Sequence, residues 1–129
     1  MSEQRTILIA EDLTMVRRPL ALILKRRGYR VIEVSDGAAA REALEQGGID
    51  AALLDLMMPV ADGFEVLDAM QGRADAPPIL VYTSHPLTGH VERALALGAR
   101  EVIVKGRHTI AEIAERLEAA MATGGDDAA

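Results

Sequence analysis

Three acidic residues follow two short apolar runs of the sequence, at positions where strands would end. Residues 7–10 are followed by Glu11 and Asp12, and residues 51–54 are followed by Asp55. If both runs are parallel strands of one sheet, the carboxylates meet at one edge of it. Such a cluster is costly unless a cation lies among the acids, and a hard cation such as Mg²⁺ prefers oxygen ligands. The pattern therefore predicts a divalent-metal site.

Two more apolar runs end at polar residues that suit phosphate chemistry. Thr83 and Ser84 follow residues 79–82, and Lys105 follows residues 102–104. A carboxylate can accept a phosphoryl group, a lysine can pair with its oxygens, and a hydroxyl can donate a hydrogen bond to it. Taken singly, Asp55 could be a turn residue and Lys105 a solvated charge. Together they predict phosphoryl transfer to Asp55, which needs mainly positioning and charge neutralisation.

Short apolar runs alternate with helix-length segments five times, which predicts a doubly wound α/β fold around a parallel sheet. The alternating pattern of the second run favours an edge strand. The predicted strands are residues 6–10, 29–34, 50–54, 79–82 and 102–104, and the predicted helices are residues 14–27, 37–47, 64–70 and 88–97 and a last helix after Thr109.

Several helix ends carry recognisable signals. Thr14 is predicted to cap the first helix, and Pro19 predicts a local irregularity or a late helix start. Thr109 and Glu112 fit a capping box. We expect a flexible acidic tail over residues 123–129. The last helix would bury one apolar face, made of Ile110, Ile113, Ala114, Leu117 and Met121.

Composition narrows the possible classes of protein. The chain has 129 residues, enough for one domain with a real core, and a formal net charge of −6, which disfavours direct contact with nucleic acid. Without cysteine there is no disulfide and no thiol chemistry. No apolar stretch reaches the roughly 20 residues that span a bilayer. We expect one cytoplasmic domain over residues 1–129, with its core at about 5–122 and without membrane insertion.

The order and spacing of these residues resemble the receiver domain of two-component response regulators over about residues 5–121, most closely the free-standing chemotaxis type. The resemblance implies a flavodoxin-like sheet of strand order 2-1-3-4-5. The matching residues are Glu11, Asp12, Asp55, Pro59, Gly63, Thr83 and Lys105.

The resemblance also implies a function and a set of partners. A sensor histidine kinase, a phosphotransfer protein or a small phosphodonor would phosphorylate Asp55, and the protein would then act on a downstream protein target. Mg²⁺ would be bound by Asp12, Asp55 and the backbone carbonyl of Met57, with Glu11 acting through water. Thr83, Ser84 and Lys105 would contact the phosphoryl group. His85 is open to two interpretations, a contact at the phosphoryl entrance or a solvent-facing loop residue.

Two positions depart from the family pattern. Gly106 follows Lys105 where the family usually has a proline with a cis bond, so we expect a trans bond and a reshaped loop. Val102 stands where many members have an aromatic residue that reports the switch. We therefore expect the loop at Thr83 and the fourth helix to carry the signal.

Other functions on a similar fold remain as alternatives. A Mg²⁺-dependent phosphohydrolase with an aspartyl nucleophile typically has a second Asp two residues later, and here that residue is Met57. A flavin or nucleotide carrier needs a phosphate-binding loop after the first strand, where Glu11 and Asp12 would repel phosphate. A receiver that has lost phosphorylation is disfavoured because the acids are intact.

Overall fold

The computed structural model describes residues 4–84 and 87–126, which form a five-stranded parallel sheet with four helices between the strands and a fifth after the last strand. The strand order β2-β1-β3-β4-β5 confirms the predicted doubly wound fold. The strands are β1 (Thr6–Ala10), β2 (Arg30–Val34), β3 (Ala51–Asp55), β4 (Ile79–Thr83) and β5 (Glu101–Val104). The helices are α1 (Thr14–Arg26), α2 (Gly37–Gln46), α3 (Gly63–Met70), α4 (Thr88–Ala96) and α5 (Ile110–Asp126).

The sheet separates two apolar cores, because successive side chains of a strand point to opposite faces. One core joins strand residues such as Leu8, Leu54 and Val81 to α2, α3 and α4. The other joins Ile9 and Leu53 to α1 and α5. Strands β3 and β4 are buried along their whole length, whereas β2, at the edge, is only partly buried, as its alternating sequence predicted.

Two predictions about α1 were wrong. Thr14 is the first helical residue, and Leu13 occupies the N-cap position without a side-chain hydrogen bond. Pro19 lies inside an uninterrupted helix, since packing of Leu20 and its neighbours outweighs the loss of one backbone hydrogen bond. α5 continues to Asp126, into the predicted acidic tail, because extending an existing helix is far easier than starting one, and the flexibility of the tail stays a prediction. Residues 127–129 lie outside the described residues.

The predicted capping box of α5 is confirmed, but one residue of its apolar face is not buried. Thr109 Oγ1 accepts a hydrogen bond from the Glu112 N–H at 3.1 Å, and Glu112 Oε1 accepts one from the Thr109 N–H at 2.7 Å. Ile110 is 39% exposed because it opens the helix, before the turns that cover the sheet. Ala120, which the pattern omitted, is buried with Leu117.

Gly37 lets the loop after β3 pack directly against the start of α2. Its N–H donates to the Pro59 carbonyl at 3.2 Å. A Cβ atom at residue 37 would lie 1.8 Å from the backbone oxygen of Ala61, which leaves no room for any side chain. The loop that follows Asp55 is therefore held in place by close backbone contact.

Gly37→Ala should lower the free energy of unfolding by about 1–3 kcal/mol, because the loop after β3 must move to admit the methyl group. Gly89→Ala is the matched control, since Gly89 lies in α4 and a Cβ there meets nothing within 4 Å. The control should raise stability by about 0.5–1 kcal/mol through helix propensity. Urea denaturation of both variants measures the difference, and equal stabilities would contradict the packing argument.

Candidate functional site

The carboxyl ends of β1 and β3 bring the three predicted acids together. Ala10 and Leu54 are in register, so Glu11 and Asp55 follow at the same level of the sheet. Glu11, Asp12 and Asp55 each offer a carboxylate oxygen, and these oxygens lie within 4.8 Å of one another. Glu11 and Asp55 are only 1% and 4% exposed, while Asp12 is partly exposed. The sequence prediction that these acids share one place is confirmed.

Lys105 extends from the end of β5 into the acidic cluster. Its Nζ lies 2.5 Å from Glu11 Oε1 and 3.2 Å from Asp55 Oδ2, so one ammonium group contacts two buried carboxylates. Burial alone would lower the pKa of Lys105, but the contacts with Glu11 and Asp55 outweigh it, and the pKa is raised. Lys105 is therefore protonated at neutral pH.

Three hydrogen bonds hold Glu11 in place, two through its backbone and one through its carboxylate. Its N–H donates to Val34, its carbonyl oxygen accepts from Arg17 Nη1 at 2.8 Å, and its Oε2 accepts from the Leu13 N–H at 3.0 Å. Burial raises the pKa of its carboxyl group, the contacts with Lys105 and Leu13 oppose that rise, and the charge of Asp55 adds to it. The carboxylate is thus fixed in place in an environment that disfavours its charge.

Arg17, on α1, supports the backbone of Glu11, although the sequence motif does not include it. Its side chain is 14% exposed and also donates from Nε to Glu33 Oε1 at 3.1 Å. Glu33 is the fourth of the five residues of β2. A charged residue within a strand indicates that a charged partner lies nearby, and the sequence offered this signal for Arg17. Arg17 thereby ties α1 to β2 and to the backbone of Glu11.

The cluster fits a divalent cation by the chemistry of its donors. All its ligand atoms are carboxylate oxygens, the donors that a hard cation such as Mg²⁺ prefers. Asp55 Oδ1 accepts the Met57 N–H at 3.1 Å, which brings the backbone of Met57 close to the carboxylates. Coordination by the Met57 carbonyl remains a prediction.

Thr83 and Ser84 lie at the end of β4 beside this cluster. Thr83 is 2% exposed, and its carbonyl oxygen accepts the N–H of Lys105 at 2.8 Å, whereas Ser84 is exposed. Their contacts with a phosphoryl group remain predictions, and His85 lies outside the described residues.

A cavity of about 490 Å³ opens at the opposite edge of the sheet, beside Asp50 and Pro78, and contains none of the predicted site residues.

The two departures from the family pattern have a clear structural form. Every peptide bond in the described ranges is trans, so the expected trans bond between Lys105 and Gly106 is confirmed. Gly106 has a φ angle of +87°, a conformation that favours glycine. Val102 is partly buried against the core beneath α2, α3 and α4, on the face of the sheet opposite to Tyr82.

Without divalent ions, Glu11→Gln should be more stable than the wild type at neutral pH. The folded-state pKa of Glu11 is raised above 4.5, so its favourable contribution to folding is complete below pH 4.5 and is lost as the pH rises through the folded-state value. Asp55, Lys105 and Arg17 surround the group and stay in place. Urea denaturation with a chelator should show the gain at neutral pH and its loss in acid, while the exposed control Glu42→Gln should match the wild type. A less stable Glu11→Gln at neutral pH would contradict this prediction.

Comparison with known proteins agrees with this geometry. The family profile described as response regulator receiver domain matches residues 7–118. The sensory transduction protein RegX3 of Mycobacterium tuberculosis is 34% identical over 122 residues, which cover 95% of this chain and 53% of that protein. The transcriptional regulatory protein PdtaR of the same species is 36% identical over 102 residues, which cover 78% of this chain and 49% of that protein. The chain thus spans about half the length of these curated relatives.

Solved structures share the fold. A receiver domain protein of Methanospirillum hungatei JF-1 superposes with a TM-score of 0.89 at 21% identity, covering 97% of this chain and 99% of that chain. The receiver domain of the sensor histidine kinase PA1611 of Pseudomonas aeruginosa PAO1, which has magnesium coordinated in its active-site cleft, superposes with a TM-score of 0.82 at 28% identity, covering 93% of this chain and 99% of that chain. The family match over residues 7–118 agrees with the contacts between the acids and Lys105, and this chain belongs to the response regulator receiver domain family.

Proposed function

We propose that this chain is a signalling switch that accepts a phosphoryl group on Asp55 and then changes its partner-binding surface. Membership of the receiver family implies a histidine kinase as the partner that supplies the group. The observation that carries the proposal is the setting of the Asp55 carboxylate. It is 4% exposed and lies between the Met57 N–H and the ammonium of Lys105, next to two more carboxylates.

The transfer step is a displacement at phosphorus. A carboxylate oxygen of Asp55 forms a bond to phosphorus, and the bond from phosphorus to the donor breaks, with its electron pair leaving on the donor. Lys105 acts as a fixed positive charge rather than a base, because its raised pKa keeps it protonated. The Thr83 hydroxyl and the residue 84 backbone are proposed to donate hydrogen bonds to the phosphoryl oxygens.

Glu11, Asp12, Asp55 and the Met57 carbonyl are the residues proposed to hold Mg²⁺. When bound, the ion supplies positive charge that offsets negative charge on the phosphoryl group. The clustering of three carboxylates within 4.8 Å supports this donor set, as does the magnesium in the cleft of the similar Pseudomonas receiver.

A phosphohydrolase is less well supported than a switch. In such an enzyme the second residue after the nucleophile would exchange a proton with the leaving group, and here it is Met57, whose apolar side chain is 60% exposed. The chain thus fits a phosphoacceptor regulator whose own site assists gain and loss of the group.

Within the described residues, no helix has the length and apolar character to cross a membrane.

Output is proposed to pass through the loop at Thr83 and through α4. Phe64, at the start of α3, contacts two residues of α4. Its ring lies 5.4 Å from the His90 ring and 4.2 Å from the Arg93 guanidinium carbon. Because Gly63 also donates to the Leu56 carbonyl beside Asp55, this contact connects the backbone of the site to α4 without an aromatic residue at position 102.

Acetyl phosphate and Mg²⁺ should add one phosphate to the wild-type chain, as measured by intact mass. Asp55→Asn should gain none, because the amide is a poor nucleophile of the same shape. The exposed control Asp68→Asn, on α3, should react like the wild type. Equal uptake by Asp55→Asn, or none by the wild type, would overturn the proposal.

Mg²⁺ should raise the melting temperature of the wild type, since a ligand that binds only the folded state stabilises it by about 2.7 kcal/mol at 100 times its Kd. Asp12→Asn should lose most of that rise, because it removes a charged ligand. Differential scanning fluorimetry against Mg²⁺ concentration measures both, with Glu42→Gln as the surface-charge control. A rise in Asp12→Asn equal to that of the wild type would exclude Asp12 as a ligand.

A further inference from the structure

Tyr82 is a buried aromatic residue whose ring lies beside the acidic cluster. It is 7% exposed and occupies the position of β4 directly opposite Asp55 on one side and Ile103 on the other. The chain has only two tyrosines and one phenylalanine, and its other core positions are mostly aliphatic. Neither the sequence motif nor the proposed transfer step uses this ring.

The sheet places Tyr82 and the charged residues on one face. Ile9, Leu53, Tyr82 and Ile103 share the core beneath α1 and α5. Side chains two residues apart along a strand point to the same face. Glu11, Asp55 and Lys105 come two residues after Ile9, Leu53 and Ile103, and their mutual contacts confirm that they meet on this side.

The Lys105 ammonium lies between the ring and the acids. Its Nζ is 5.2 Å from the centroid of the Tyr82 ring, within the range of a cation–π contact. It meets Glu11 and Asp55 at 2.5 Å and 3.2 Å. The ring and the two carboxylates thus contact the same ammonium group.

We propose that Tyr82 is a positioning residue, whose ring face holds the Lys105 ammonium at the Asp55 carboxylate for phosphoryl transfer. The inference rests on the proposed function. The carboxylates change partners when a cation or a phosphoryl group arrives, whereas the neutral ring offers the same support before and after. The ring face is also a weaker hydrogen-bond acceptor than a carboxylate, so it competes little with the phosphoryl oxygens for the lysine N–H groups.

The kinetic test compares phosphorylation by acetyl phosphate in three variants. Tyr82→Leu removes the ring and should slow uptake of phosphate about tenfold, whereas Tyr82→Phe keeps the ring face and should react within about twofold of the wild type. Leu80→Val trims the same core two residues earlier on β4 and should leave the rate unchanged. A wild-type rate in Tyr82→Leu, or an equal loss in Leu80→Val, would overturn the inference.

An NMR test observes the unphosphorylated chain and so does not depend on phosphorylation. The lysine signals are simple to assign, because the chain has only two lysines, Lys25 and Lys105. With ¹³C-labelled lysine, the ε-CH₂ signal of Lys105 should be displaced upfield by the ring current and should lose that displacement in Tyr82→Leu. Tyr82→Phe should retain it. Lys25, on α1 and 52% exposed, is the internal control.

The two tests separate the inference from the function on which it rests. A wild-type chain that takes up no phosphate overturns the proposed function, whatever the lysine signals show. A wild-type chain that reacts, with a Lys105 signal unchanged in Tyr82→Leu, overturns the role of Tyr82 and leaves the proposed function standing.

Discussion

One partly buried ammonium group, that of Lys105, holds this site together. Glu11 and Asp55 are almost wholly buried, and like charges at such short distance in a poorly hydrated environment strongly disfavour each other. Lys105 contacts both and neutralises part of that charge, at the cost of its own hydration. The remaining negative charge is what makes the site receptive to a cation, so the energetic cost of the cluster and its chemistry have the same origin.

The rest of the fold fixes the partners of that ion pair. β1 and β3 are neighbours in the sheet, which brings Glu11 beside Asp55, and the N–H of Lys105 bonds to the Thr83 carbonyl at the end of β4. Behind Glu11, Arg17 bonds to its carbonyl oxygen and joins α1 to the edge strand. Backbone contacts therefore limit how far any charge can move when a phosphoryl group arrives.

Signal transmission in this chain uses different residues from the usual family pattern. Val102 packs into the core beneath α2, α3 and α4 and is too small to turn between two positions as an aromatic ring does. The aromatic residues stand elsewhere, with Tyr82 beside Lys105 and Phe64 between α3 and α4. The first would support the chemistry and the second would connect the loop after β3 to α4.

The sequence by itself determined the fold class and the set of acids, because buried parallel strands appear as unbroken apolar runs and their ends are marked by the first polar residues. It failed at Thr14 and at Ile110, where the local signal did not decide the helix start or the burial of its first residue. Only the tertiary structure decided which groups Lys105 touches and that Arg17 is partly buried against Glu33. Those contacts join residues far apart in the chain, and their distances follow from the register of the sheet, which no local pattern contains.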